Sequence, residues 1–343
     1  MKAAVLKAAR LVAVEDRPLP ALRPDEVMVR IRASGICGSD VHGFEGRIFD
    51  RRPIGIIMGH EAAGEVHEVG AQVKDFGPGE RVAINPLIPC LVCPQCRRGW
   101  FNLCDSMITL GSAMRVFHDG TMCEFVPVPS RQLHRLPEGM SFEEGAMAEP
   151  ASNAVHLLNR AGVELGSVLA VVGTGAIGLI VVQAAKLAGA RKVIAVDINP
   201  FRLACAKEAG ADRIVNAAQE DAVAVIREES GGRGADIAVE AAGTAATYRI
   251  CLEAVAKRGK VAALGFMEPE VSFPMRTLIY REISIIGCTA FSYEIDATLA
   301  LIASGRLSVR PLITHTFPLE SVQEAYETAA DPKSNSVKVM VRC

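Results

Sequence analysis

Four cysteines crowd into one short stretch, Cys90-x2-Cys93-x2-Cys96-x7-Cys104. Thiolates are soft ligands, and four of them held close together complete a tetrahedron around Zn²⁺ with no open position, so such an ion is structural. Iron–sulfur ligation is the alternative that four thiolates also allow. Four unpaired surface thiols would be an oxidation liability.

A second set is dispersed. Cys37 sits in Gly-Ile-Cys37-Gly-Ser39-Asp40-Val-His42, His60 and Glu61 in Gly59-His60-Glu61-Ala-Ala-Gly64, and Glu149 directly before Pro150. A catalytic zinc takes about three protein ligands and keeps one exchangeable position. Cysteine, histidine and carboxylate can supply them. Each residue alone reads equally well as core cysteine or solvated acid, and spacing leaves the assignment open.

Gly173-Thr-Gly175-Ala176-Ile177-Gly178 is a GxGxxG turn between an apolar run and a helical pattern. In that setting the glycines allow a tight turn, close approach of backbone to a pyrophosphate, and close packing of helix on strand. The N–H groups opening the helix then face the phosphates. Asp197 follows 19 residues after Gly178. A carboxylate there accepts ribose hydroxyls and repels a 2′-phosphate, which points to NAD rather than NADP. Ala176, Ile177 and Arg202 complete the expected cofactor contacts.

These residues need a scaffold. Half of the 343 residues are hydrophobic, and 37 basic residues face 39 acidic ones for a net charge of −2. A globular chain of two domains is expected, with no basic stripe for nucleic acid. Residues 1 to about 150 read as short β-type runs cut by Gly and Pro, at 26–33, 61–70, 81–86 and 122–129, which suggests a barrel-like β domain. From about residue 150 apolar strands alternate with helices: 167–173, helix 176–189, 192–197, helix 200–210, 235–243, 260–265 and 283–287. That alternation predicts an α/β, doubly wound parallel sheet. A helix over 296–305 and a strand-like end over 336–343 follow, the tail returning to the first domain. Residues 165–185 carry no charge, but the glycines within them argue for strand, turn and buried helix rather than a membrane span. No secretory signal pattern opens the sequence, so a cytoplasmic location and reduced thiols are expected.

The motifs GICGSDVH, GHEAAGEVHEVG, CLVCPQC…C and GTGAIG, in that order, resemble the zinc-containing medium-chain dehydrogenases over essentially the whole chain. The resemblance implies a GroES-like β-barrel catalytic domain over residues 1–151 with the return of 290–343. It implies a Rossmann NAD-binding domain over 152–289 and an active site in the cleft between the two. It makes Cys37, His60 and Glu61 zinc residues, and Ser39 and His42 the proton relay. Glu149 stands where relatives acting on simple alcohols have a cysteine ligand. Glutamate before proline is similar to the sorbitol dehydrogenase branch, where the acid reaches zinc directly or through water. Residues 84–90, 110–114 and 273–287 resemble L-idonate 5-dehydrogenases.

The implied reaction is reversible oxidation of a secondary hydroxyl to a ketone. The substrate would be an acyclic polyol or sugar acid, L-idonate-like acids first. Ser39, Glu149, Arg115 and His118 are candidate partners for its hydroxyls. Two departures fall where substrate would be held. Ala290 replaces an arginine common in the polyol enzymes, and Gly43-Phe44 follows His42 in place of tandem aromatics. Threonine- or butanediol-type oxidation is the competing enzymatic reading. A non-enzymatic cofactor-binding protein would have lost ligand or relay residues that are all present here. A homo-oligomer, tetramer or dimer, is expected, because the apolar run 283–287 reads as an exposed sheet edge. His67, His118, His134, His156 and His315 lie beside no ligand motif.

Overall fold

The computed structural model describes residues 1–48, 50–265 and 270–343, and the chain divides into two compact units. One comprises Met1–Pro150 with Phe291–Gly305 and Val309–Cys343; the other comprises Ala151–Ala290 with Arg306–Ser308.

The first unit is built on a seven-stranded sheet. Its path runs 313–318, 338–342, 26–35, 61–69, 81–84, 133–135, and strand Phe125–Pro129 pairs antiparallel with 26–35. Strand Glu26–Gly35 is the hub. It carries Val27, Val29 and Ile31 into a core with Val66, Val82, Ile84, Val126 and Val128, and only Arg30 along it is exposed. Residues 26–29 are buried on both faces, whereas from Val29 to Ala33 Arg30 and Arg32 alternate with Ile31 and Ala33, one face turned outward. The C-terminal strand Lys338–Arg342 does return to this unit, with Met340 opposite Gly35 and Val341 opposite Ser34. A run read as strand over 122–129 is strand only over Phe125–Pro129.

Helices Gly38–Phe44, Phe142–Ala146 and Ala148–Ala161 interrupt what the sequence suggests is a β-only region. The first two are too short to show a helical period. The second starts on Ser141, whose hydroxyl accepts from Glu144 N while the Glu144 carboxylate accepts from Ser141 N. This reciprocal cap is a helix start that reads directly from Ser-x-x-Glu.

The second unit carries six parallel strands in the order 213–216, 192–197, 168–172, 235–240, 255–263, 284–287. The order reverses direction at strand Val168–Val172, and the crevice at the carboxyl end of such a strand is where doubly wound sheets bind ligands. Helix Ala176–Leu187 follows it directly and buries Leu179, Ile180, Val181 and Val182. The uncharged stretch 165–185 is therefore a strand and a helix, and among the described residues no helix is long and apolar enough to cross a membrane. Strand Ser284–Gly287 lies at the sheet edge.

Candidate active site and metal centres

Sheet register assembles the dispersed set. Gly35 pairs with Glu61 across strands 26–35 and 61–69, which sets the segment just after Gly35 beside His60 and Glu61. Helix Gly38–Phe44 then starts on Cys37, whose N–H donates to Asp40 Oδ2 at 3.1 Å. Cys37 Sγ, a His60 ring nitrogen and a Glu61 carboxylate oxygen all lie within 4.8 Å of one another. One thiol, one imidazole and one carboxylate at that separation fit a mixed, open zinc site.

Two buried ion pairs surround it. His60 Nδ1 lies 3.4 Å from Asp40 Oδ1, and Asp40 is fully buried. Burial is the largest single influence and disfavours the charged form of each, but their mutual attraction outweighs it with help from Arg52 and the Cys37 N–H at Asp40 and from Cys37 at His60. The Asp40 carboxyl is held well below the usual carboxylate range, and His60 is raised. With Nδ1 turned to a carboxylate, Nε2 is the nitrogen left for a metal, the arrangement that fixes tautomer and ring orientation at metal-bound histidines. Arg52, itself buried, donates from Nε to Asp40 Oδ1 at 3.2 Å and from Nη2 to Ser39 Oγ at 3.3 Å.

Lys338 forms the second pair. Its buried ammonium donates to Glu61 Oε1 at 2.7 Å, to Glu61 Oε2 at 2.5 Å and to the Ile36 carbonyl at 3.1 Å. Gly35 makes room for this carboxylate, since a Cβ there would fall 2.2 Å from Glu61 Oε2. Glu149, in the first turn of helix Ala148–Ala161, is 8% exposed and close enough to add to the field that raises Lys338. It lies outside the three-residue set above. His42 is half-buried, and burial, then the Arg47 charge, lower its pKa. Its Nδ1 is buried with no hydrogen-bond partner among the described residues.

The four loop cysteines converge as the spacing predicts, with sulfur atoms all within 4.8 Å. Cys93 and Cys104 sulfurs are 4.0 Å apart, and backbone N–H groups of Cys90, Cys93 and Cys96 point at Cys104, Cys90 and Cys93 sulfurs respectively. The N–H of Cys96 leads in pulling the Cys93 thiol down to about 6. Donors aimed at sulfur favour thiolates, the form that binds metal, while burial works the other way at Cys96 and pushes that thiol up to about 12. All ten cysteines are free thiols, and no histidine other than His60 belongs to a metal-sized cluster among the described residues.

The glycine loop has the geometry its sequence implies. Gly173 has φ +97°, and a Cβ at Gly178 would fall 1.9 Å from the Gly173 carbonyl oxygen. Gly175 opens the helix with no side-chain cap, and a Cβ at Gly175 would meet nothing within 4 Å, so Ala176 and Ile177 begin a helix whose N-terminal face can receive phosphates. Asp197 is already engaged. Its Oδ2 accepts from Thr174 N at 2.7 Å and Thr174 Oγ at 2.9 Å, and its Oδ1 from Ile198 N and Asn199 N at 2.8 and 2.9 Å. Arg202 lies in helix Pro200–Glu208, capped by Asn199.

Several residues were not legible beforehand. Asp40 had a signal, three positions after Cys37 at a helix start. Arg52 and Lys338 had none, because ordinary surface cations share their sequence contexts. Arg115 and His118, candidate substrate partners by sequence, are engaged elsewhere: Arg115 donates to the Cys104 carbonyl, and His118 Nδ1 contacts the Asp119 carbonyl at 2.9 Å.

Residues 23–138 match the alcohol dehydrogenase GroES-like domain and residues 176–304 the zinc-binding dehydrogenase domain. The chain is 35% identical to sorbitol dehydrogenase of Bacillus subtilis, covering 99% of this chain and 97% of that protein. It is 37% identical to L-idonate 5-dehydrogenase of Vitis vinifera, covering 98% and 93%. The solved structure of 2R,3R-butanediol dehydrogenase from Bacillus subtilis superposes with a TM-score of 0.90 at 30% identity, over 100% of this chain and 99% of that one. Identity at this level along the full length places the chain in the zinc-binding medium-chain dehydrogenase family, as an alcohol or polyol dehydrogenase.

Proposed function

We propose that this enzyme reversibly oxidises a secondary hydroxyl of an acyclic polyol or sugar acid, with NAD as hydride acceptor. One observation carries the reading: the Cys37, His60 and Glu61 cluster, with the buried acid Glu149 near it where simple-alcohol enzymes have a thiolate. An oxygen-rich metal site suits a substrate bearing neighbouring hydroxyls. When bound, zinc polarises the reacting hydroxyl and lowers its pKa, and NAD takes up the hydride.

In this reading Cys37 and His60 hold the catalytic ion, with Glu61 and Glu149 as carboxylates within its reach. The four loop cysteines hold a second, structural ion. Ser39 and His42 stand three residues apart on one helix, a spacing that puts them on the same face. Ser39 accepts the substrate proton and His42 passes it to solvent, a task for which its lowered pKa keeps the ring neutral and able to accept. Gly173, Gly175, Ala176, Ile177 and Gly178 receive the pyrophosphate, and Asp197 and Arg202 the adenosine ribose. The Gly loop lies at the switch point of the parallel sheet, which supports the dinucleotide assignment.

A second reading, a smaller secondary alcohol or diol, draws on the engagement of Arg115 and the absence of a cation at Ala290. Both remove partners that a long or anionic substrate needs. Catalytic efficiency on sorbitol, galactitol, L-idonate, threonine and 2,3-butanediol at one pH, followed by NADH absorbance, separates the two. A tenfold or greater advantage for threonine or butanediol over every polyol and sugar acid overturns the first, taking one decade as about 1.4 kcal/mol of transition-state discrimination.

A further inference from the structure

Arg52 has no place in the reaction as described so far, yet it is 5% exposed and directly behind the catalytic cluster. Taking a guanidinium out of water is costly unless several acceptors meet it. Here they do. Nε donates to Asp40 Oδ1 at 3.2 Å and Nη2 donates to Ser39 Oγ at 3.3 Å. One side chain thus touches the carboxylate that orients His60 and the hydroxyl of Ser39.

Room for that side chain comes from the departure noted after His42. A Cβ on Gly43 would lie 2.6 Å from Arg52 Cγ and 2.7 Å from Arg52 Cβ. The aliphatic stem of Arg52 therefore runs through the space that any larger residue at 43 would fill. The glycine that replaces an aromatic and the buried arginine are two halves of one arrangement.

We propose that Arg52 is a positioning residue for the proton relay, an inference that rests on the dehydrogenase reading above. A serine hydroxyl has one hydrogen to donate and two lone pairs. The Arg52 N–H occupies one lone pair. That leaves the second to accept the substrate proton while the serine's own hydrogen passes toward His42, so one proton arrives at Ser39 Oγ as one leaves. A free hydroxyl rotor samples three staggered positions, and the guanidinium selects among them. The planar fork that serves Asp40 and Ser39 together is a geometry lysine cannot reproduce.

The test uses zinc-loaded enzyme and compares each variant with wild type on whichever secondary alcohol the wild type oxidises best. Failure of the polyol reading therefore leaves this comparison intact. R52M removes the donor, R52K keeps the charge without the fork, and G43A crowds the stem while keeping Arg52 itself. The proposal expects R52M to lose kcat by about tenfold or more, a part of the roughly 10²–10⁴-fold that positioned proton transfer contributes. KM for the alcohol, zinc content and the NADH dissociation constant from fluorescence titration should stay within about twofold of wild type, the scatter expected when only the proton step is touched. The solvent deuterium isotope effect on kcat should rise, added imidazole should restore part of the rate in R52M, and R52K and G43A should fall between. The proposal is overturned if R52K and G43A both turn over at the wild-type rate with an unchanged isotope effect. It is equally overturned if R52M loses activity only in proportion to lost zinc. If R52M does not fold, R52K and G43A alone decide.

Discussion

The Lys338 ammonium sits on both oxygens of the Glu61 carboxylate, at 2.7 and 2.5 Å, across 277 residues of sequence. Burial is the largest single influence and would lower the Lys338 pKa, but the Glu61 charge and hydrogen bond, with Cys37 and Glu149, together outweigh it and the net shift is upward. A raised folded-state value means that the pair's contribution is complete below lysine's ordinary range and is lost only as pH climbs through the folded value. It is fully present at neutral pH. Replacing Lys338 with Met leaves a buried carboxylate unpaired, which costs about 3–5 kcal/mol when one partner of such a pair is removed. The same change frees Glu61 to serve the catalytic ion. K338M should therefore melt at lower temperature while releasing that ion to a chelator more slowly than wild type. Unchanged melting would show that the pair contributes little to stability, and faster release would show that Glu61 does not reach the metal.

Two zinc ions per chain are expected, with unequal lability. Four sulfurs within 4.8 Å of one another are enough to complete a tetrahedron around zinc, whereas the three ligands Cys37, His60 and Glu61 would leave one position exchangeable. A brief chelator pulse should abolish activity, remove one ion and leave circular dichroism unchanged; longer exposure should remove the second and lower the melting temperature. Metal analysis of gently purified protein that finds one ion or none would sink this.

Cofactor preference should rest on Asp197. Thr174, Ile198 and Asn199 donors hold the carboxylate in place beside the glycine loop. A fixed negative charge discriminates against a 2′-phosphate more strongly than a mobile one. D197S should narrow the ratio of NAD to NADP catalytic efficiency by about tenfold or more, the scale of losing one charge-assisted interaction. A wild-type enzyme more efficient with NADP contradicts the assignment.

The glycine loop and the cluster of Cys90, Cys93, Cys96 and Cys104 were readable in the sequence because each is local. Their function depends on spacings of a few residues that turn chemistry fixes. The parallel sheet was readable because its strands are continuous apolar runs between helices. The cluster of Cys37, His60 and Glu61 was only half readable. Cys37, His60 and Glu61 stand out as residue types, but their convergence depends on the register of strands 26–35 and 61–69. What tunes them was hidden altogether. Lys338 comes from a strand that crosses back from the far end of the chain, and Arg52 looks like one of two adjacent surface arginines until Gly43 is seen to admit it. Long-range pairs of this kind leave no periodic trace.

Association should proceed through the edge strand Ser284–Gly287. Ile285 on it is 40% exposed, and Ile279 and Tyr280 of the preceding helix are 64% and 76% exposed. An unpaired, apolar strand edge invites a second copy of the chain. Light scattering should give a dimer or tetramer at micromolar concentration, and I285K should shift it toward monomer. A monomeric wild type removes the basis for this expectation.

The last prediction concerns how an acidic substrate is held. A sugar acid carries a carboxylate, and a carboxylate is best gripped by a guanidinium through paired hydrogen bonds. The sequence offers Arg115, but that side chain is bonded to the Cys104 carbonyl. At position 290, where polyol enzymes commonly place arginine, this chain has Ala290, with φ +50°. An arginine there meets the same left-handed backbone that alanine already tolerates, so the added strain is small. If substrate lies against this position, A290R should raise catalytic efficiency on L-idonate relative to sorbitol by about tenfold, the effect of one charge-assisted contact of roughly 1.5 kcal/mol. The wild type, lacking that clamp, should handle the neutral polyol at least as well as the acid. An A290R enzyme whose idonate-to-sorbitol ratio stays within twofold of wild type, with melting temperature and zinc content intact, would show that residue 290 does not face the substrate. The search for what orients the chain of hydroxyls would then move to Ser39 and Glu149.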